Sequence, residues 1–170
     1  MIETAKGVLN VSLIAALGED ASIGLRCLVA GTNDLMKATG VRPTPDRRYL
    51  VSWLMQIIIA GRAGGLDVID GVCDDFRNIE AFERECDEAR LMGFDGKSLI
   101  HPRQIEPANR AFSPSQSEIA EAREIVRAYA QPENQGRGAI SIGGRMVERL
   151  HLVQAQRLLA RHHLLGLAGV

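Results

Sequence analysis

Residues 24–35 read GLRCLVAGTNDL, and the run CLVAG within them is continuously apolar, where a strand with one wet face would alternate. A short run of this kind reads as a strand buried on both faces, which is the habit of parallel sheets flanked by helices. Working outward, TPDRRYLVSWLMQIIIAGRAGG predicts a helix with Thr44 as N-cap, Pro45 at the first helical position, Leu50, Leu54, Ile57 and Ile58 on the apolar face, and a stop at Gly64 and Gly65. LDVIDGV follows as a second short strand. NIEAFERECDEARLMG predicts a helix capped by Asn78 and ended by Gly93, with Ile79, Phe82, Cys86 and Ala89 on one face. KSLIH, inside GFDGKSLIHP (93–102), supplies a third strand. SPSQSEIAEAREIVRAYA then opens a helix with Ser113 as cap, Pro114 after it and Gln116 in the capping-box position.

Strand and helix thus alternate at the spacing of βα units, which predicts an α/β fold with a parallel sheet and right-handed crossovers. The residues alone leave two architectures open, a doubly wound open sheet or part of a barrel. Past Ala130 the pattern changes. QPENQGRG is a polar linker, GAISIGGRMVE a hairpin turned by Gly143 and Gly144, and RLHLVQAQRLLARHHLLG a last helix. The expected organisation is a βα body over residues 1–130 and a hairpin-helix appendage over 131–170.

The chain has 170 residues, with 20 basic against 21 acidic side chains and a net charge of -1. No field is available to hold nucleic acid or an anionic membrane. MIETAKGVLN lacks a basic region followed by an apolar core, and the apolar run around WLMQIIIA is far short of the roughly 20 residues of a membrane span. A soluble cytoplasmic protein is expected. Cys27, Cys73 and Cys86 are widely spaced and odd in number, which argues against a disulfide framework and against a zinc site.

In parallel α/β folds the chemistry gathers at the carboxyl ends of strands. Asp34 follows CLVAGTN, Asp70, Asp74 and Asp75 follow LDVI, His101 follows SLI, and Glu3 qualifies if MIE is the frayed end of a strand. Carboxylates meeting at one mouth without a cysteine or histidine cluster suit a hard cation, magnesium above all. Lys97 beside an Asp-Gly turn is by default a rim charge, and His101 by default bonds a backbone group. His151, His162 and His163 lie on the last helix, where a solvated face is the ordinary outcome.

The ordered segments MIETAKGVLN, GTNDLMKATG, VIDGVCDDFRN, GFDGKSLIHPRQIEPANRAFSPS and GAISIGGRMVE resemble those of the citrate lyase beta-subunit and CoA-ester lyase family, within the HpcH/HpaI aldolase superfamily. The resemblance implies a TIM-type (β/α)8 barrel, of which this chain would hold the last three to four βα units. It implies a Mg2+-dependent carbon–carbon lyase that cleaves citryl, malyl or citramalyl thioesters of CoA or acyl carrier protein, assembled as a trimer or hexamer. Carried over by position, Glu3 and Asp34 would hold the Mg2+. Glu148, where the family usually has aspartate, would reach a neighbouring subunit's site as the proton-transfer group. Lys97 and His101 would line the thioester side. The family's upstream units, which bring a substrate-clamping arginine, have no counterpart in this sequence. A companion chain completing the barrel, or a non-catalytic assembly module, is therefore the competing expectation. An open-sheet nucleotide binder is disfavoured, since GRAGG ends a helix instead of opening one.

Overall fold

In the computed structural model, which describes residues 1–167, the first three residues run beside CLVAG as a strand end. The Ile2 N–H donates to the Val29 carbonyl at 2.7 Å and the Gly31 N–H donates to the Ile2 carbonyl at 2.8 Å, an isolated parallel bridge between Ile2 and Ala30. Two short helices follow, α1 (Ala5–Leu9), started by the Thr4 side chain, and α2 (Val11–Ala16). Strand β1 (Cys27–Val29) leads through Gly31 into α3 (Thr32–Thr39), and α4 (Val51–Ala63) crosses to β2 (Asp67–Asp70). Helix α5 (Ile79–Met92) crosses to β3 (Gly96–Lys97), and α6 (Ile105–Phe112) follows a 3-10 turn at Pro102–Gln104. The strands pair in parallel in the order β1-β2-β3, with Leu28 opposite Val68 and Asp70 opposite Lys97.

The core of this unit forms where α4 packs on the sheet and α2 packs on α4, around Ala15, Leu28, Leu54, Ile57 and Val68. Gly61 permits that close packing, because a Cβ there would fall 2.4 Å from Val68 Cγ2. A second cluster joins α5 to α6 through Phe82, Cys86 and Ala108. Burial pushes the Cys86 thiol up to about 12 from an ordinary 9.0, although the Lys97 ammonium pulls the other way. The unfolded chain ionises this thiol at lower pH than the folded one, so stability falls as pH rises through the window from 9.0 to about 12. We expect the urea midpoint, followed by Trp53 fluorescence, to drop across that window more steeply in the parent than in Cys86→Ala. Equal slopes would refute the assignment.

From Ser113 onward the chain forms a second unit. It comprises α7 (Gln116–Tyr129), the antiparallel hairpin of β4 (Ala139–Ile142) and β5 (Arg145–Glu148), and α8 (Arg149–Leu167). Gly143 and Gly144 make the expected two-residue turn, with φ of 54° and 80°. Tyr129 packs with Ile140 and Val147 and donates its hydroxyl to the Val147 carbonyl at 2.8 Å. That anchoring places α7 with the hairpin, so the division falls at Phe112/Ser113, earlier than the expected 130/131. Residues 168–170, the end of the expected appendage, lie outside the described residues.

Several local expectations change. Helix α4 begins at Val51, not after Thr44, because Arg47 adopts a left-handed φ of 48° that interrupts the helix. The KSLIH strand ends at Lys97; Ser98–His101 leave the sheet, and His101 caps the 3-10 turn. The capping box of α7 is Ser115 with Glu118, two residues on from Ser113 and Gln116: the Ser115 N–H donates to Glu118 Oε2 at 2.8 Å. The α/β class stands, but among the described residues the sheets are small, three parallel strands and one hairpin. No helix among them is long and apolar enough to cross a membrane.

Candidate functional site

The carboxyl ends of the parallel strands carry two arrangements of charge, one exposed and one sealed. The exposed one starts at the Ile2–Ala30 bridge, which sets Glu3 beside Gly31, the N-cap of α3, with Asp34 in the first turn of that helix. Gly31 makes this possible. A Cβ at Gly31 would lie 2.5 Å from Glu3 Cβ and 3.1 Å from Glu3 Cα. Both carboxylate residues are solvent-exposed. Asn33, between them and the next loop, donates its amide to both oxygens of Asp74 at 2.9 and 3.0 Å. Among the described residues no group of three or more Cys, His, Asp and Glu gathers as a metal cage. A donor set of two carboxylates beside open solvent fits Mg2+, which keeps water or substrate in most of its positions.

The sealed arrangement centres on Asp70, fully buried at the end of β2. Arg47 Nη1 donates to its oxygens at 3.0 and 2.7 Å, and Lys97 Nζ to Oδ2 at 2.7 Å. Lys97 also donates to Glu85 Oε1 at 2.6 Å and to the Gly71 carbonyl at 2.8 Å. Arg47 reaches Glu88 Oε2 at 3.3 Å. Burial works against the Arg47 charge, yet Asp70, Glu85 and Glu88 outweigh it and hold the guanidinium above its ordinary pKa. The reading of Lys97 as a thioester contact therefore meets a side chain with 0% exposure and all three donors engaged inside the fold. Arg47 and Asp70 were the partners that sequence reasoning did not pair. Glu85 and Glu88, one turn apart beside the Phe82–Cys86–Ala89 face, were the visible sign that cations come to meet α5.

His101 stands at the mouth of the loops. Its Nδ1 accepts from the Arg103 N–H at 3.1 Å, and its ring stacks on Phe76 with centroids 4.4 Å apart. Gln104, wholly buried, ties the two loops together by donating to the Cys73 carbonyl at 3.0 Å and accepting from the Ile100 and His101 N–H groups. Asp75 lies exposed in the same loop as Phe76. In the second unit, exposed Glu148 ends β5, and its N–H donates to His151 Nδ1 at 2.9 Å.

This geometry coincides with a known sequence pattern. The model of HpcH/HpaI aldolase/citrate lyase matches residues 1–102. The chain belongs to that family. It is similar to a (3S)-malyl-CoA thioesterase of Cereibacter sphaeroides, 45% identical over 95% of this chain and 55% of that protein. It is also similar to citrate lyase subunit beta of Leuconostoc mesenteroides, 36% identical over 93% of this chain and 51% of the relative. Among solved structures it resembles the crystal structure of protein CitE from Mycobacterium tuberculosis in complex with magnesium, acetoacetate and coenzyme A. The TM-score is 0.68 and the identity 28%, covering 94% of this chain and 58% of that one. The chain thus spans about half the length of the relatives it matches.

Proposed function

We propose that this chain carries the cation-binding part of a carbon–carbon lyase acting on 3-hydroxyacyl thioesters, malyl, citryl or citramalyl groups on CoA or acyl carrier protein. The observation that carries this reading is the placement of Glu3 against Gly31, the N-cap of the helix whose first turn bears Asp34, in a member of this family. The parallel strands and the Ile2–Ala30 bridge are, on this reading, closing strands of a TIM-type barrel whose other strands come from a companion segment. Mg2+, when bound, supplies a Lewis acid for oxygen charge that develops during cleavage.

Glu3 and Asp34 would hold the cation. Glu148 of a neighbouring copy removes the proton of the 3-hydroxyl as the bond between that carbon and the α-carbon breaks, leaving a carbonyl product and a thioester enolate that takes up a proton. Its arm is one methylene longer than the family's usual aspartate, which sets how the hairpin must approach. His101, held flat on Phe76, keeps Nε2 for a substrate group.

The similarity to a malyl-CoA thioesterase favours a second reading, hydrolysis of the thioester itself. Incubation of the chain with malyl-CoA and Mg2+ separates the readings by product. Acetyl-CoA with glyoxylate is expected for the lyase, and malate with free CoA for the hydrolase. EDTA is expected to stop either reaction and added Mg2+ to restore it. Binding of Mg2+ and malyl-CoA with no turnover would replace both readings with the non-catalytic module.

A further inference from the structure

We infer that the buried Arg47–Asp70–Lys97 cluster is a positioning device for α3, setting the Asp34 carboxylate through the Gly71 peptide and the Thr32 side chain. This inference rests on the reading of Asp34 as a metal ligand.

The cluster grips both backbone groups of one residue. The Gly71 N–H donates to Asp70 Oδ1 at 2.8 Å, and the Gly71 carbonyl accepts from Lys97 Nζ at 2.8 Å. Arg47 fixes the same Asp70 carboxylate from the opposite loop, and its left-handed backbone is what aims the guanidinium there. Gly71 in turn presses on α3. A Cβ on Gly71 would lie 2.3 Å from Thr32 Oγ1 and 2.8 Å from Thr32 Cγ2, so nothing larger than hydrogen fits between the peptide and the first turn. Thr32 is buried, and Asp34 is two residues on, in that same turn. The Asn33 amide on Asp74 ties the turn a second time to the loop that leaves Gly71.

Buried ion clusters of this kind give little net stability over apolar packing of the same volume. This one instead supplies direction, because its hydrogen bonds hold the two peptide groups on either side of the Gly71 Cα, and that Cα is the wall against which the ligand-bearing turn rests. Lys97 is thus a positioning residue and touches no substrate.

The test compares the parent chain with Lys97→Met, Gly71→Ala and Gly71→Ala/Thr32→Ala, following amide hydrogen exchange at Leu35, whose N–H donates to the Gly31 carbonyl at 3.0 Å, and Mg2+ affinity by calorimetry. Leu35 exchange is expected to quicken about tenfold or more in Lys97→Met and Gly71→Ala through local opening, while Phe82 exchange in α5 stays as in the parent. Mg2+ affinity is expected to fall roughly 10–100-fold in the same two variants, as for other groups that orient metal ligands. Removing the Thr32 side chain takes away the two closest clashes of the Gly71→Ala methyl and leaves the Ala30 carbonyl at 3.0 Å, so the double variant is expected to recover most of the exchange protection and Mg2+ affinity lost in Gly71→Ala, a rescue that general destabilisation does not give. Gly71→Ala leaves the Arg47, Asp70 and Lys97 side chains in place and carries the test should Lys97→Met not fold. Unchanged Leu35 exchange in Gly71→Ala overturns the inference. A parent whose Mg2+ affinity is indifferent to Glu3 and Asp34 sinks the metal reading itself, and Leu35 exchange still decides whether the cluster holds α3.

Discussion

Replacing both exposed carboxylates, Glu3→Ala with Asp34→Ala, is expected to weaken Mg2+ binding by about a hundredfold or more, beyond the roughly 10–100-fold that changes behind a metal's ligands cost. Magnesium is a hard cation that takes oxygen donors and gives up its waters reluctantly, so two carboxylates supply most of what a protein contributes to such a site. Neither side chain is buried, which keeps the fold out of the result. Removing Glu3 leaves the Ile2 bridge to Ala30 intact, since that bridge is made by backbone groups. Removing Asp34 takes an acidic residue from the first turn of α3, at a cost of about 0.3–1 kcal/mol in helix stability, too small to unfold the unit. Calorimetric titration with Mg2+ on parent, single and double variants gives the answer, with far-UV circular dichroism confirming the fold. A double variant that binds as the parent does would remove these residues from the site. Asp34→Asn, which keeps one oxygen donor and loses the charge, is expected to fall between the parent and Asp34→Ala.

The parallel body was legible because its signals are local. CLVAG has no alternation, Asn78 and Gly93 bracket α5 as cap and left-handed stop, and Gly143 with Gly144 can only turn a hairpin of this kind. Glu3 qualified only on the condition that MIE is a frayed strand end, and the Ile2–Ala30 bridge supplies that strand end. What the residues concealed was tertiary. Thr44-Pro45 is a good helix start by propensity, but Arg47 leaves the helical conformation to meet a buried carboxylate, and that gain lies 23 residues away in sequence. KSLIH looks like a strand by composition. Its backbone turns after Lys97 because Gln104 captures the Ile100 and His101 N–H groups that a sheet would otherwise use. Lys97 itself read as a rim charge because its partners Asp70 and Glu85 belong to two other elements. Helices α3 and α6 are each 8 residues long and gave no separate signal in the sequence.

The same hidden partnership makes Asp70→Asn the substitution with the largest expected cost in stability, about 3 kcal/mol, at the lower end of the roughly 3–5 kcal/mol for breaking a buried ion pair. Asparagine keeps the volume, so no cavity forms, and the loss is electrostatic. In the parent, Arg47 and Lys97 face Asp70, Glu85 and Glu88; the variant leaves the two cations with two glutamates, one of them 36% exposed. Those glutamates keep the penalty from reaching the top of the range. The asparagine amide also brings its own N–H donors toward the Lys97 ammonium, where an acceptor is needed. The control is Glu88→Gln, which removes a partly solvated charge and is expected to cost about 1 kcal/mol or less. Trp53 is the only tryptophan of the chain and packs at the edge of the first unit's core, so its fluorescence in urea reports that unit. With a slope of about 1–3 kcal/mol/M, the expected shift of the Asp70→Asn midpoint is about 1–3 M, several times that of the control. Equal shifts for the two variants would mean that water or rearrangement reaches Asp70. The cluster would then be a solvated network, without the grip on the Gly71 peptide that its geometry describes.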